Sequence, residues 1–421
     1  MRTLREKIGR DHSDQEKPQI KGMKWPLRRL DELGYVSRGR SRHRPRDAAH
    51  LYGGPYPFIQ TADVKHANLY IREFTQTYSE AGLAQSKLWK AGTLCITIAA
   101  NIADTAILDI DACFPDSVIG FVPDKDKADA KFIKYLFDAL LQKRYQRFTQ
   151  GAAQDNLSQA KLLSLKFPVP DIATQRKIAD ILSAYDELIE NNRRRIQLLE
   201  RAARLLYKEW FVHFRFPGHE HVKIKDGIPE GWERKTAFEV MEVLSGGTPK
   251  TQKPEYWNGD IPFFTPKDAT DCAYVVKTEK TITAEGLRNC NSRLYPKDTI
   301  FITARGTVGK INLAQTGMAM NQSCYALLAN RPLNQYFLYF ALVEAVEQFR
   351  SRAVGAVFDA IIRDTFRLIP FVVPDEKLIT MFTDYVSPIL RQIDALLSQN
   401  RKLAKARDLL LPRLMNGEIA V

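Results

Sequence analysis

The sequence contains one framework twice, with the second copy about 205 residues after the first. Residues 54–63 (GPYPFIQTAD) return as residues 259–268 (GDIPFFTPKD), and residues 167–171 (FPVPD) return as residues 371–375 (FVVPD). Solenoid repeats have periods of only about 20–50 residues, so this spacing predicts a duplicated domain. The copies differ between the framework positions, which suits two similar domains that contact two different parts of one ligand.

The composition favours a polyanionic partner. The 421 residues include 62 Lys and Arg against 49 Asp and Glu, a net charge of +13. Nucleic acid is the simplest such partner, although a basic soluble protein without one would have the same charge. The five cysteines have no CxxC spacing, which fits a reducing cytoplasm, and no apolar run is long enough to cross a membrane.

Each half of the chain is predicted to be a mixed α+β domain followed by one long helix. Short β-type runs occur at residues 93–98, 117–122 and 299–303, and helical segments at 131–146 and 335–349. The predicted order is a flexible N-terminal tail (1–22), domain 1 (23–171), spacer helix 1 (172–213), a linker (214–227), domain 2 (228–375), and spacer helix 2 with a C-terminal tail (376–421).

The two long helices are predicted to pair as an antiparallel coiled coil. Asp171 and Asp375 follow prolines and suit helix N-caps, while Pro388 predicts a start or a kink in the second helix. The apolar positions step by threes and fours, and each stripe includes one asparagine, as in coiled-coil seams. The predicted seam residues are Ile178, Ile181, Tyr185, Leu188, Asn192, Ile196, Leu199, Ala203 and Leu206, then Ile393, Leu396, Asn400, Leu403, Arg407, Leu410 and Leu414.

Residues 38–46 (RGRSRHRPR), here called the arginine loop, carry five arginines on alternate residues. In an extended segment this spacing directs all five to one side, where phosphates or guanine edges are natural partners. A solvated basic loop without a ligand is the alternative interpretation. The matching segment of the second copy, residues 245–250 (SGGTPK), is also glycine-rich and ends in a base, which favours the DNA interpretation. We call it the glycine loop.

Further polar residues follow the repeated framework positions and are candidates for base or phosphate contact. Each of them could instead be an ordinary loop or capping residue. The complete set of candidate DNA-binding residues is Arg38, Arg40, Arg42, His43, Arg44, Arg46, Gln60, Thr61, Lys250, Lys267, Arg305, Lys310, Asn321 and Gln322.

The sequence contains no convincing catalytic constellation. Residues 303–310 (TARGTVGK) resemble a phosphate loop only faintly, because the first glycine and the Ser or Thr after the lysine are missing. His213, His219 and His221 lie in the linker without cysteine or acidic partners at ligand spacing, so a metal site is not predicted there. The motifs of amino-methyltransferases, dinucleotide-binding enzymes and nucleases are also missing.

With these features together, the chain from residue 23 to residue 421 resembles the DNA specificity subunit of a Type I restriction–modification system. The motifs that carry the resemblance are residues 38–45 (RGRSRHRP), 51–61 (LYGGPYPFIQT), 175–179 (QRKIA), 190–193 (ENNR), 209–211 (EWF), 228–232 (IPEGW) and 409–414 (LLLPRL). One departure lies at residues 375–378 (DEKL), where the family usually has a Glu-Gln pair.

The resemblance implies a non-catalytic subunit in which each mixed domain is a target recognition domain for one half of a split, asymmetric DNA sequence. The helices would set the unread spacer and dock two methyltransferase (modification) subunits, which bind S-adenosylmethionine and methylate adenine at N6. Motor–nuclease (restriction) subunits would use ATP and Mg²⁺. The expected partners are therefore double-stranded DNA and these subunits, in the cytoplasm, with no cofactor on this chain.

Two other functions stay open at this point. The chain could be a fused nuclease or methyltransferase with a degenerate active site, which activity of the purified chain would reveal. It could also be a stand-alone DNA-binding or regulatory scaffold without a restriction partner, which works through its coiled coil alone and does not need the arginine loop.

Overall fold

The computed structural model of the protein describes residues 25–99, 103–142, 158–352 and 361–421. These residues form two compact units: unit 1 contains the described residues up to Glu190 together with Lys402–Val421, and unit 2 contains Asn191–Arg401. Each unit therefore combines one mixed domain with parts of both long helices. The predicted tail at 1–22 and the end of the predicted helical segment at 143–146 lie outside the described residues.

Domain 1 is built on a central five-stranded sheet. The strands of its described part are β1 (Leu27–Arg29), β2 (Gly34–Arg38), β3 (Tyr52–Phe58), β4 (Tyr70–Ile71), β5 (Gln76–Tyr78), β6 (Leu88–Trp89), β7 (Leu94–Thr97), β8 (Thr105–Leu108), β9 (Ala112–Cys113), β10 (Val118–Pro123) and β11 (Lys166–Pro168). The central sheet has the order β2-β10-β7-β8-β4, a second sheet has the order β5-β3-β9-β6, and β1 pairs with β11.

The central strands of this sheet are buried on both faces. Leu94 and Ile96 face a core that includes Phe132, whereas Cys95 between them faces a core with Phe114. A strand that is covered on both faces has a continuous run of apolar residues, and this run predicts the strand within residues 93–98. The described helices of the domain are α1 (Leu30–Leu33), α2 (Thr61–His66), α3 (Glu80–Ala84), α4 (Ala130–Phe137), which continues as a π-helical turn (Asp138–Gln142), and α5 (Gln159–Ser164).

The first long helix, α6 (Ile172–Tyr207), begins after Asp171 and ends in a π-helical turn, Lys208–Val212. The Asp171 carboxylate accepts a hydrogen bond from the backbone N–H of Thr174 (3.0 Å), as an N-cap does. This bond is the main reason that the pKa of the Asp171 carboxyl lies below its usual value. The predicted helix start is confirmed.

Domain 2 repeats the central sheet of domain 1. The strands from the linker onward are β12 (Ile224–Lys225), β13 (Ile228–Pro229), β14 (Glu233–Thr236), β15 (Met241–Ser245), β16 (Trp257–Phe264), β17 (Tyr274–Val275), β18 (Lys280–Ile282), β19 (Ile300–Thr303), β20 (Ile311–Ala314), β21 (Ala319–Met320), β22 (Cys324–Ala329) and β23 (Pro370–Val373). The order β15-β22-β19-β20-β17 matches that of domain 1 strand by strand. The helices are α7 (Ala237–Val240), α8 (Ala284–Arg288), α9 (Gln335–Arg352) and α10 (Thr365–Leu368). The α+β prediction with a duplicated domain is confirmed.

The second long helix, α11 (Glu376–Met415), pairs with α6 in the antiparallel sense. Within unit 2, the Asn192 side chain donates a hydrogen bond to the Asn400 side chain (2.9 Å), and the rings of Trp210 and Tyr385 lie 5.7 Å apart. Residue numbers therefore increase along one helix in the direction in which they decrease along the other, and the side chains of the two predicted seam asparagines are in contact. Pro388 lies inside α11, so a helix start at this residue is wrong. None of the described helices has both the length and the apolar character needed to span a membrane.

The predicted seam of α6 is wrong at two positions. Ile181 and Leu188 are each 38% exposed, whereas Leu182, Asp186 and Ile189 are buried. The buried stripe is shifted by one residue here because this part of α6 packs against domain 1 as well as against α11, within the same apolar core. A coiled-coil pattern describes only the second of these contacts.

Domain 1 is joined to the helix pair through a buried carboxylate. The hydroxyl of Tyr135 on α4 donates a hydrogen bond to Asp186 (2.5 Å), and Arg407 of α11 makes an ion pair with the same carboxylate. Asp394, the repeat-related residue, accepts a hydrogen bond from Gln315 of domain 2 (2.6 Å) and pairs with Lys297. Each domain is therefore fixed to the helices by a carboxylate at the same repeat position.

Another carboxyl group joins α6 to domain 2 and gives a pH-dependent prediction. Glu200 Oε1 accepts hydrogen bonds from the Ala273 backbone N–H (2.5 Å) and the Cys272 thiol (3.0 Å), and burial raises the pKa of its carboxyl above the ordinary 4.5. The folded chain holds this proton more tightly than the unfolded chain. Glu200 therefore costs stability as the pH rises from about 4.5 through its raised pKa.

Glu200→Gln keeps the accepting oxygen and removes the buried charge. We expect the variant to be at least as stable as the parent at pH 7 and to lose this part of the pH dependence. Urea unfolding at pH 4.5, 5.5 and 7 measures the difference, with Glu255→Gln at a half-exposed ion pair as the control. A variant that is less stable at pH 7 and unchanged in its pH dependence would contradict the assignment.

Candidate nucleic-acid interface

The arginine loop begins at the end of β2, and exposed and buried residues alternate over residues 38–42, as they do in an extended segment. Arg38, Arg40 and Arg42 are exposed, while Gly39 and Ser41 between them are buried. The first three arginines therefore share one side, as the spacing predicts. The premise of an extended chain does not hold for the last two, because the chain turns at residues 44–47.

Three of the five arginines hold the shape of the loop. Arg38 Nε donates to the backbone oxygen of Asp116 (2.7 Å), and Arg46 Nη2 contacts both carboxylate oxygens of the same residue (3.0 and 3.1 Å). Arg44 donates to the backbone oxygens of Ser41 (2.9 Å) and His43 (2.8 Å). These guanidinium groups satisfy loop carbonyls and a neighbouring carboxylate, so they are only partly available to a ligand.

The segment after α3 braces the loop from the other side. The Gln85 side-chain oxygen accepts hydrogen bonds from two consecutive backbone N–H groups, those of Arg42 (2.6 Å) and His43 (3.0 Å). Ser86 Oγ donates to the backbone oxygen of Arg40 (2.8 Å). The loop backbone is therefore fixed at Arg40, Arg42 and His43 on this side.

Gln60 and Thr61 lie beside the loop, at the start of α2. Together with Ser41, Arg46 and residues of the 115–117 turn they line an open cleft of about 240 Å³. Gln60 is the helix cap: its backbone N–H donates to Asp63 Oδ2 (2.7 Å), and its side-chain Nε2 donates to Gln76 Oε1 (2.6 Å). Thr61 occupies the first helical position. The structure thus brings together the candidates of domain 1 and gives Gln60 a capping role.

In domain 2, four chain segments, one of which is the glycine loop, lie next to one another. Gly247 N donates to Met320 O (3.1 Å), and Thr248 Oγ1 donates to the side-chain oxygen of Gln322. Asn321 N donates to Phe264 O (3.0 Å), and Phe264 leads into the segment that contains Thr265 and Lys267. Residues 304–306 join the group because Ala304 N donates to Ser323 O (2.8 Å). Lys250, Lys267, Arg305, Asn321 and Gln322 therefore lie on segments that are neighbours in the fold.

The cationic candidates of domain 2 differ in availability. Lys250, Lys267 and Arg305 are exposed, and their charged groups make no hydrogen bond or ion pair with any residue that the structure describes. Lys310 is instead held in an ion pair with Asp271, with 2.9 Å between Nζ and Oδ1. Three free cations beside amide side chains form a surface that can contact phosphates and base edges.

Sequence reasoning missed Asp116, Gln85, Ser86 and Lys87, all of which belong to the domain 1 site. Lys87 lies 4.5 Å from the centre of the Tyr35 ring and 3.7 Å from that of Trp89. Hydrogen bonds with Ser37 and Lys87, with smaller contributions from the charges of Lys87 and Arg40, lower the pKa of the Tyr35 phenol below its usual value. No local motif marks Asp116, Gln85 or Ser86, since their contacts with the loop span about 40–80 residues of chain.

The described part of the chain contains no group of three or more His, Cys, Asp and Glu side chains that could hold a metal ion. His219, one of the linker histidines, contacts the backbone oxygen of Phe216 through Nδ1 (2.8 Å).

The geometry of the two domains defines a class of protein with two homologous polar surfaces, each formed by loops at the edge of a duplicated α+β domain.

A family model agrees with this duplication. The model described as "Type I restriction modification DNA specificity domain" matches twice, over residues 23–201 and 229–397. The chain therefore belongs to the family of Type I restriction–modification DNA specificity subunits, and its role is DNA recognition. Members of the family are specificity subunits and not catalytic ones.

Two relatives match over nearly their whole length. The MjaIX specificity subunit of a Type I restriction enzyme of Methanocaldococcus jannaschii is 25% identical over 415 residues, which cover 94% of each chain. The HindI specificity subunit of Haemophilus influenzae is 23% identical, with 92% of this chain and 98% of that protein covered. The S subunit of a Type-I restriction-modification system from M. genitalium has the same fold, with a TM-score of 0.58 and 16% identity over 94% of this chain and 97% of that one.

Proposed function

We propose that this chain selects the DNA sequence for a Type I restriction–modification complex, and that each domain reads one half of a bipartite, asymmetric target. The observation that carries the proposal is the pair of equivalent loop surfaces on one repeated framework. The framework strands coincide in order, whereas the side chains on the loops differ. Two readers of different base sequences need this combination.

Phosphate contact supplies much of the affinity in this proposal. The chain has a net charge of +13, and the surface of domain 2 carries the exposed cations Lys250, Lys267 and Arg305. Each neutralised phosphate releases condensed counterions, so we expect the logarithm of the affinity to fall steeply with the logarithm of the salt concentration.

The helices set the unread spacer and dock two methyltransferase subunits. Ile181 and Leu188 of α6 support a docking role, because these apolar side chains are exposed and lie seven residues apart, on one face of the helix. S-adenosylmethionine binds to the methyltransferase subunits, which methylate adenine at N6. ATP and Mg²⁺ serve the motor–nuclease subunits, and the complex acts in the cytoplasm. This chain contributes no cofactor site.

Mapping of methylated adenines tests the proposal. The chain is co-expressed with the methyltransferase subunit of its system, and N6-methyladenine in the host DNA is located by sequencing. We expect one split, asymmetric motif. Replacement of residues 23–171 by the same domain of a relative is expected to change one half of the motif and to leave the other half and the spacer intact. Methylation with no common motif, or a swap that alters both halves, contradicts the proposal.

A further inference from the structure

The arginine loop contains two guanidinium groups that differ from the other three. Arg40 and Arg42 are exposed, and neither side chain makes a hydrogen bond or an ion pair with any residue in the described ranges. Their backbone is nevertheless fixed. The N–H of Arg40 donates to Phe114 O (3.0 Å), its carbonyl accepts from Ser86, and the N–H of Arg42 donates to Gln85.

A fixed backbone with free guanidinium groups suits base reading more than phosphate contact. Phosphate contacts tolerate a mobile cation, whereas a bidentate bond to guanine O6 and N7 requires a defined position and direction. Arg40 and Arg42 are two residues apart in an extended segment, or about 6.6 Å. This distance is close to the rise of two base-pair steps, about 6.8 Å.

The second copy of the framework differs at these two positions. Strand pairing aligns the two loops. Val118 pairs with Thr97 in domain 1 as Cys324 pairs with Thr303 in domain 2, so the next residues, Ile119 and Tyr325, correspond. Arg38 pairs with Ile119 and Ser245 pairs with Tyr325, so Arg38 corresponds to Ser245. Gly247 and Pro249 then correspond to Arg40 and Arg42. Neither has a side-chain donor, so this pair of contacts is specific to domain 1.

We infer that Arg40 and Arg42 read guanine in the half-site of domain 1, and that Gln85, which holds the backbone N–H of Arg42, is the residue that positions Arg42. The inference rests on the proposed function and adds the chemical identity of bases in one half of the target. Domain 2 recognises its half by other groups on its loops.

The probe for this inference is a library of DNA duplexes with a randomised central segment of about 30 base pairs, long enough to cover two half-sites a helical turn apart. Duplexes bound by the full-length chain are sequenced. We expect a split motif with guanine in one half. A split motif without guanine in either half overturns the inference but leaves the proposed function intact, whereas no split motif at all overturns both.

Arg40→Lys and Arg42→Lys separate base reading from phosphate contact, because lysine keeps the charge but cannot form the planar two-point bond. Each variant is expected to lose about tenfold or more of the preference for its guanine, while the salt dependence of binding stays as in the parent. Replacement of that guanine by 7-deazaguanine, which lacks N7, is expected to weaken the parent and to leave the variant unaffected. Arg28→Lys, on the exposed strand β1 outside the arginine loop, is the control and should retain the preference. Lysine variants that discriminate as well as the parent overturn the inference.

Gln85 has a separate test. Gln85→Ala removes the acceptor for two backbone N–H groups and is expected to reduce the guanine preference several-fold without a change in the salt dependence. Gln85→Glu retains the accepting oxygen and should restore the preference, and thermal unfolding checks that both variants are folded. A purely structural residue would change the melting temperature and leave base preference untouched in the folded protein, which would contradict the positioning role.

Discussion

Replacement of Asp186 by alanine is expected to lower the free energy of unfolding of unit 1 by about 3–5 kcal/mol. Asp186 is 1% exposed and binds Tyr135 and Arg407, so its loss leaves a mostly buried guanidinium group without its buried counter-charge. The Tyr135 hydroxyl also loses its acceptor, and burial together with the neighbouring carboxylate keeps the pKa of that hydroxyl raised in the parent. Removal of one partner of a buried pair costs far more than the intact pair contributes.

Differential scanning calorimetry of the full chain measures this loss. For a unit of this size we expect the transition of unit 1 to shift downward by about 10 °C, with little change in the transition of unit 2. Asp408→Ala is the matched control, since Asp408 binds the same Arg407 but is 61% exposed. Its loss should cost no more than about 1 kcal/mol. Equal shifts for both variants would show that the buried carboxylate has no special role.

Two repeat-related glycines are expected to control one half of the target each. A Cβ at Gly39 would overlap the backbone oxygens of Phe114 and Pro115, and a Cβ at Gly246 would overlap those of Met320 and Asn321. Backbone atoms of a packed strand end cannot move aside cheaply, so alanine must displace the loop that follows. Gly39→Ala is therefore expected to displace the arginine loop, and Gly246→Ala the glycine loop.

Binding to duplexes that carry one half of the target intact and the other scrambled separates these effects. Each variant is expected to lose about tenfold or more in affinity for its own half, which corresponds to about 1.4 kcal/mol, and to keep the other half. Gly317→Ala, where a Cβ would have only ordinary contacts of 3.4 Å or more, serves as the control. A loss of both halves in either variant would instead indicate general unfolding.

The organisation of the chain could be predicted from sequence because duplication makes each copy a test of the other. The two aspartates that follow prolines cap the long helices, and the two seam asparagines meet in the antiparallel pair. These features depend on local hydrogen bonding and on one periodicity, both of which the sequence displays directly.

The candidate site was less predictable because its contacts join distant segments. The arginine spacing identified the loop but could not show that Asp116 engages Arg38 and Arg46, or that Gln85 holds the backbone. The predicted seam is wrong at Ile181 for a related reason. At that point α6 contacts both domain 1 and α11, and a single apolar stripe cannot describe both contacts. Contacts between segments far apart in sequence have no periodic signature.

The division of the chain into units has a consequence for its synthesis. The core of unit 1 includes Leu414 and Met415, each 1% exposed, so domain 1 lacks part of its apolar packing until residues 402–421 have been made. At about 5–20 residues per second, the ribosome takes roughly 10–50 s to travel from the end of domain 1 to that segment. Unit 2, residues 191–401, is complete before then. The half of the protein that is translated first is therefore the half that finishes folding last.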